Sequence, residues 1–317
     1  MITGLHHVTV IAGDPRENLA FYTQVLGMRL VKRTVNQDRV GTYHLFYADA
    51  VGHAGTDLTF FPWPDQPAQQ QGHGLTSETT LAVPAGTLEW WHARLRDADV
   101  AVGDVVTRFG ERVLPFTDPH GVALVLAELA SDAARGDAWS FTPWADGPVP
   151  VARQIRGLHA VRLVARDLEL TARFLVDVLG FARGGVEDGW HRFTLGDGGS
   201  GRTLDLCGMP DGPRGKWGVG AVHHVAWRVP DDATEVAVRE AAERAGRHPT
   251  PVIDRFWFKS VYFMEPGGAL FEIATDGPGF GVDEAEDALG ASLVLPPWLE
   301  ERRGEIEAGL PPLRDPR

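Results

Sequence analysis

Three groups of residues in this chain have the types and surroundings that chemistry needs. His6-His7 and His223-His224 are histidine pairs set early in two similar apolar segments, Gly4-Leu5-His6-His7-Val8-Thr9 and Ala221-Val222-His223-His224-Val225-Ala226. Glu272 sits in Gly267-Gly268-Ala269-Leu270-Phe271-Glu272-Ile273-Ala274, an apolar stretch in which an unpaired carboxylate would be costly to bury. Two imidazoles and one carboxylate make a facial triad, the ligand set of non-haem Fe(II) oxygenases, with roughly three positions left for solvent, substrate and dioxygen.

Residues so far apart need a scaffold that repeats. Residues 4 to 12 alternate and are rich in β-branched side chains, which predicts a strand. Asp14-Pro15 predicts a helix start, with Asp14 as N-cap and Pro15 at the first helical position. The helix carries Leu19, Phe21, Tyr22, Val25 and Leu26 and stops at Gly27; strand-like segments follow around 30 to 34, 43 to 48 and 56 to 61. One unit is therefore β-α-β-β-β.

The unit recurs. Gly157-Leu158-His159-Ala160-Val161 matches Gly4-Leu5-His6-His7-Val8, and Phe174, Leu179 and Gly180 match Phe21, Leu26 and Gly27. Two further copies start near Glu78 and His224, with Arg108-Phe109 on Arg255-Phe256 and Phe116-Thr117-Asp118-Pro119 on Phe263-Met264-Glu265-Pro266. The expected fold is α+β, four βαβββ modules forming two cup-shaped mixed sheets. The expected organisation is a pair of modules over 1–130, a Gly/Pro-rich linker over 131–153, a second pair over 154–280 and a C-terminal extension over 281–317.

Aligning the modules locates the chemistry. Where modules one and four have His7 and His224, module three has Ala160 and module two Glu78. Where module four has Glu272, modules two and three have Val125 and Asp205, and module one has Thr59. Modules one and four should therefore pack side by side despite lying at opposite ends of the chain. Modules two and three should form a second cup holding Glu78 and Asp205, without a histidine or a metal.

Composition narrows the function classes. A formal net charge of −13 with no basic cluster argues against nucleic acid and anionic membrane. No apolar run approaches the length of a membrane span, the N-terminus lacks signal-peptide character, and the single Cys207 cannot form an internal disulfide. The expected location is the cytoplasm.

These residues resemble the vicinal oxygen chelate superfamily, and more narrowly its ring-cleaving dioxygenases that act on hydroquinones. The resemblance is carried by Gly4 to Thr9, Tyr43-His44-Leu45-Phe46-Tyr47-Ala48-Asp49, Leu88-Glu89-Trp90-Trp91, Arg108 to Arg112, His223-His224, Pro266 to Glu272, and Leu289-Gly290 to Leu295-Pro296. It implies Fe(II), with Mn(II) as the other candidate, held by His7, His224 and Glu272. It implies supporting roles for His6, Thr9, His223, Arg255 and Tyr262, and an aromatic substrate with O2.

Strand alternation sets a test of that ligand set. His7 and Thr9 should face one side of their strand, and His6 and His223 should face away from their neighbours unless the strands are locally irregular. Tyr262 has Pro115 as its counterpart in module two, so the phenol is specific to the metal-bearing copy; Arg255 has Arg108, which suits a structural role. His44, His159 and Cys207 read as structural. Trp90-Trp91 reads as packing between modules, and Gly196 to Gly201 as a hairpin in place of a phosphate loop. The charged tail from Glu300 to Glu305 reads as a solvated helix, available to a homo-oligomer contact. Two rival functions remain: a glyoxalase-like isomerase or lyase, which would usually want a second carboxylate where Thr59 stands, and a non-catalytic resistance protein that binds an aromatic drug.

Overall fold

The computed structural model describes residues 1–130 and 140–313. Module one contributes β1 (Gly4–Ala12), α1 (Pro15–Ala20), β2 (Arg29–Asn36), β3 (Arg39–Ala48) and β4 (Asp57–Pro62). Module two contributes β5 (Leu75–Val83), α2 (Leu88–Asp97), β6 (Ala101–Val102), β7 (Val106–Arg108), β8 (Glu111–Thr117) and β9 (Ala123–Glu128). Module three holds β10 (Gly157–Ala165), α3 (Leu168–Asp177), β11 (Ala182–Glu187), β12 (Trp190–Thr194) and β13 (Thr203–Gly208). Module four holds β14 (Val222–Val229), α4 (Asp232–Arg244), β15 (Ile253–Asp254), β16 (Lys259–Met264) and β17 (Leu270–Thr275).

Local chemistry starts and stops these elements as the sequence demands. Asp14 accepts from the amides of Arg16 and Glu17 at 2.7 and 3.4 Å, satisfying donors that the first turn of α1 leaves open. The helix continues as a π-helical turn over Phe21–Val25. Gly27 ends it with φ +67°, where a Cβ would also stand 2.4 Å from Val149.

The strands form two mixed sheets. The eight-stranded sheet runs β15-β16-β17-β14-β1-β4-β3-β2, so modules one and four share it across the antiparallel β1–β14 seam. The nine-stranded sheet runs β11-β12-β13-β10-β5-β9-β8-β6, with β7 on β8, and joins modules two and three across β10–β5. All nine residues of β1 are buried, which fits a strand covered on both faces. Apolar side chains of both sheets and of α1 to α4 form one continuous core.

The first sheet is finished by the end of the chain. Leu293 bridges Arg33, Tyr43 donates to the Pro311 carbonyl at 2.9 Å, and α5 (Arg303–Gly309) follows a 3-10 turn over Pro297–Arg302. The fully buried Lys32 ammonium reaches Asp283 at 2.8 Å, Glu284 and the Phe280 carbonyl, fastening this segment to β2. The segment expected as a linker lies outside the described residues over 131–139; beyond it, Gln154 bonds the backbone of Trp144 and Val149.

The structure corrects the picture of the second cup. His159 lines it and contacts Glu111 at 3.0 Å, so the cup does hold a histidine. Glu78, Asp205 and Glu111 are matched there by Arg108, Arg162 and Arg192 in a continuous chain of ion pairs. Trp91 is buried and donates to the Arg153 carbonyl at 3.0 Å, a packing role.

Candidate metal centre

The positioning of the histidine pairs comes from two β-bulges. Along the β1–β14 seam Leu5 faces Trp227 and His7 faces Ala226, so His6 is an extra residue on β1. Thr9 faces His224 and Val10 faces Val222, so His223 is an extra residue on β14. Each bulge turns both histidines of its pair to one side of the sheet. The expectation from simple alternation, that His6 and His223 face away, is thereby overturned. The bulges belong to the repeat: in the second cup His159 and Ser77 are skipped in the same way, beside Ala160 and Glu78.

His7, His224 and Glu272 offer ligand atoms within 4.8 Å of one another. The three separations are 3.2 Å between the two Nε2 atoms, 2.9 Å from His224 Nε2 to Glu272 Oε2 and 3.3 Å from His7 Nε2 to Glu272 Oε2. At the ~2.1 Å bonds of divalent sites, donors at right angles would stand about 3.0 Å apart, so the spacing fits one cation capped on one face.

The hydrogen bonds behind the ligands prepare them for that cation. His6 Nε2 lies 3.1 Å from the Thr275 carbonyl, an acceptor only, so this nitrogen carries a proton. Burial, then the neighbouring His7, lowers the His6 pKa to about 3, which keeps the ring neutral and its Nδ1 bare. That atom is 2.9 Å from His7 Nδ1, which must donate, leaving Nε2 as the His7 nitrogen turned to the metal position. His223 and His224 repeat the Nδ1–Nδ1 contact at 2.8 Å, without a carbonyl on His223 Nε2 among the described residues. Burial, followed by His224, likewise lowers the His223 pKa to about 3.

Glu272 completes the fit. One oxygen accepts from Ser260, and the other is buried without a hydrogen-bond donor among the described residues, facing the two imidazole nitrogens. Burial would raise this carboxyl, but His7 and His224 outweigh it and hold it well below the usual carboxylate range. Burial lowers the His224 pKa against the pull of Glu272, favouring the neutral ring that ligates metals. An orphaned carboxylate oxygen converging with imidazole lone pairs is stable when a cation lies among them.

A cavity of about 430 Å³ opens from His7 and His224, walled by Phe46, Phe61, Trp63, Trp257, Phe258 and Leu270. Tyr262 meets His224 edge to face at 5.6 Å, and burial, followed by Glu272, raises its pKa so that the phenol keeps its proton. Arg255 lies over the Tyr262 ring at 5.3 Å and pairs with Asp38 at 2.8 Å, so it touches the cavity as well as bracing the β2–β3 hairpin tip. Phe256 beside it has φ +76°, a strained conformation repeated by Phe109 at +49° in module two. Thr9 does not line the cavity; its hydroxyl is 2.7 Å from that of Thr59.

Several residues of the cavity carry no mark of their own in the sequence. His44, expected to be structural, lines the cavity and bonds Thr59 at 3.0 Å. Ser260 bonds Glu272, and Trp257 and Phe258 wall the cavity. The signal for His44 and Ser260 is their spacing of two from Phe46 and Tyr262 on their strands.

Comparison with known proteins agrees with this architecture. The family model for the Glyoxalase/Bleomycin resistance protein/Dioxygenase superfamily matches residues 4–126 and 157–273. The chain is 40% identical over 310 residues to the Bacillus subtilis (strain 168) protein named "Putative ring-cleaving dioxygenase MhqO", covering 98% of this chain and 96% of that one. It is 32% identical over 313 residues to the chlorohydroquinone/hydroquinone 1,2-dioxygenase of Sphingobium indicum, covering 96% and 95% of the two chains. A crystal structure from Bacillus subtilis subsp. subtilis str. 168 superposes with a TM-score of 0.90 at 39% identity over 99% of this chain and 98% of that one. Glyoxalase I from Zea mays shares the fold alone, with a TM-score of 0.63 at 16% identity over 86% and 92%. The chain therefore belongs to the Glyoxalase/Bleomycin resistance protein/Dioxygenase superfamily.

Proposed function

We propose that this chain is a non-haem Fe(II)-dependent, extradiol-type dioxygenase that opens the ring of a hydroquinone- or catechol-type aromatic, with His7, His224 and Glu272 as the metal ligands. The observation that carries the reading is the convergence of two oriented imidazoles and one orphaned carboxylate oxygen at the end of an aromatic-walled cavity. The names of the two full-length relatives support the same reaction class. The donor set also suits Mn(II).

Held by His7, His224 and Glu272, the metal would supply open positions for a ring hydroxyl and dioxygen and a redox-active centre between them. The chain's residues do the rest. His6 and His223 hold the ligand rings in the tautomer that presents Nε2. The apolar walls exclude water from the bound ring. Tyr262, kept protonated, is a hydrogen-bond donor at the His224 edge of the cavity. With Nδ1 accepting from His224, the neutral His223 ring carries its proton on Nε2, which has no protein partner among the described residues; because His223 lines the cavity, that N–H can donate a hydrogen bond to bound substrate or dioxygen. Arg255 adds positive charge where a substrate oxygen becomes anionic.

The isomerase or lyase reading is less well supported, because Thr59 stands opposite Glu272 and its hydroxyl is already bonded to Thr9 and His44. Turnover under ¹⁸O₂ tests the proposal: the ring-opened product should carry label from both atoms of O2. Unlabelled product, or rearranged product without oxygen consumption, would reject it.

A further inference from the structure

We propose that His44 is a substrate-orienting residue that hydrogen-bonds the ring hydroxyl not held at the metal, and so favours para-diols over ortho-diols. The inference rests on the ring-cleaving reading and names its substrate class.

The β1–β14 seam relates modules one and four by an approximate two-fold. Thr9 pairs with Thr59 as Ala226 pairs with Glu272, each two residues beyond a metal-facing histidine, so Thr59 is the mate of Glu272. Phe46 pairs with Thr59 as Tyr262 pairs with Glu272. His44, two residues before Phe46, is therefore the mate of Ser260. The hydrogen bonds follow the same symmetry: Ser260 donates to Glu272, and His44 Nε2 lies 3.0 Å from Thr59 Oγ1. Module one thus presents to the cavity an imidazole where module four presents the support of a ligand.

That imidazole is built to hold one orientation. Its ring centroid stands 3.9 Å from that of Phe46 and 4.4 Å from that of Phe61, and Thr59, itself 2.7 Å from Thr9, fixes one nitrogen. The other, Nδ1, has no protein partner among the described residues, and His44 lines the cavity. Burial, and then the nearby His7 and His224, hold the ring neutral. A neutral, clamped imidazole with one open nitrogen suits a neutral hydroxyl better than a charged group. A hydroquinone has oxygens at opposite ends of its ring, one for the metal and one for His44. A catechol chelating through adjacent oxygens leaves His44 unmatched.

The test compares wild type, His44→Phe and His44→Gln, each loaded anaerobically with Fe(II), for binding of hydroquinone, catechol and p-cresol by calorimetry. Phenylalanine keeps the stacking and removes the hydrogen bond. His44→Phe should retain full iron content, bind hydroquinone about tenfold more weakly, as expected for one lost hydrogen bond, and bind p-cresol and catechol as wild type does. His44→Gln should recover part of the hydroquinone affinity. Equal weakening for all three ligands, or none for hydroquinone, would overturn the assignment. Binding is measured without turnover, so an absence of ring cleavage by wild type counts against the proposed function and leaves this comparison decisive.

Discussion

His7 and His224 lie 217 positions apart in the sequence, yet their Nε2 atoms are 3.2 Å apart. Antiparallel pairing of β1 with β14 makes them neighbours, and a bulge beside each turns its paired histidine from the opposite face to a supporting position. The metal centre is thus a property of the seam between the first and last modules, with Glu272 delivered by β17.

The ligand set predicts a sharp division among variants. His7→Ala, His224→Ala and Glu272→Ala should each lose bound iron, whereas Thr9→Val should keep it. Metal analysis of protein purified and desalted anaerobically checks this, and full iron content in any of the three alanine variants removes that residue from the site.

His6→Phe should fold and still bind iron, because the aromatic ring fills the same space beside Phe258. Without the acceptor for His7 Nδ1, affinity should fall by about 10- to 100-fold, the usual cost of losing a partner behind a ligand. Competition with a chelator measures the difference; unchanged affinity would mean that Thr275 and His6 do not set the His7 tautomer.

Lys32 carries the largest stability prediction. Its ammonium is fully buried against Asp283 and Glu284 from the C-terminal segment, and Asp283 also accepts from the Trp257 indole at 3.1 Å. Lys32→Met should cost roughly 3–5 kcal/mol, because it leaves carboxylates without their cation. Urea unfolding should show the lower midpoint, and a loss under 1 kcal/mol, about the size of a surface pair, would contradict this.

Glu235 on α4 gives a pH-dependent prediction. Both of its oxygens are buried without a partner among the described residues, and burial, then Asp232, raises its pKa from 4.5 to about 7. The folded chain therefore holds a proton that the unfolded chain releases, so this group removes stability as pH rises from 4.5 to 7 and leaves the deficit in place above that. Glu235→Gln should raise Tm at pH 8 and change it little near pH 4.5. An equal shift at both pH values, by calorimetry, would rule out the titration.

Much of this arrangement is visible in the sequence, and the residues that hid share physical reasons. The modules and their pairing are legible because repeated side chains mark equivalent strands, and the mismatch of His7 and His224 against Ala160 and Glu78 shows which pair differs. The bulges are not legible, because a skipped residue leaves no mark on composition while it reverses the facing of His6 and His223. His44 stays hidden because a single histidine among Tyr43, Leu45 and Phe46 has the pattern of a core residue. The cluster of Lys32 with Asp283 and Glu284 joins two distant segments that share no local periodicity.

Oxygen uptake by protein loaded anaerobically with Fe(II) tests the central claim most directly. On addition of a hydroquinone, the wild type should consume one O2 for each ring whose absorbance is lost, and His224→Ala should consume none. No uptake with any hydroquinone or catechol, despite bound iron, would contradict the dioxygenase assignment and return the fold to the isomerase or lyase reading.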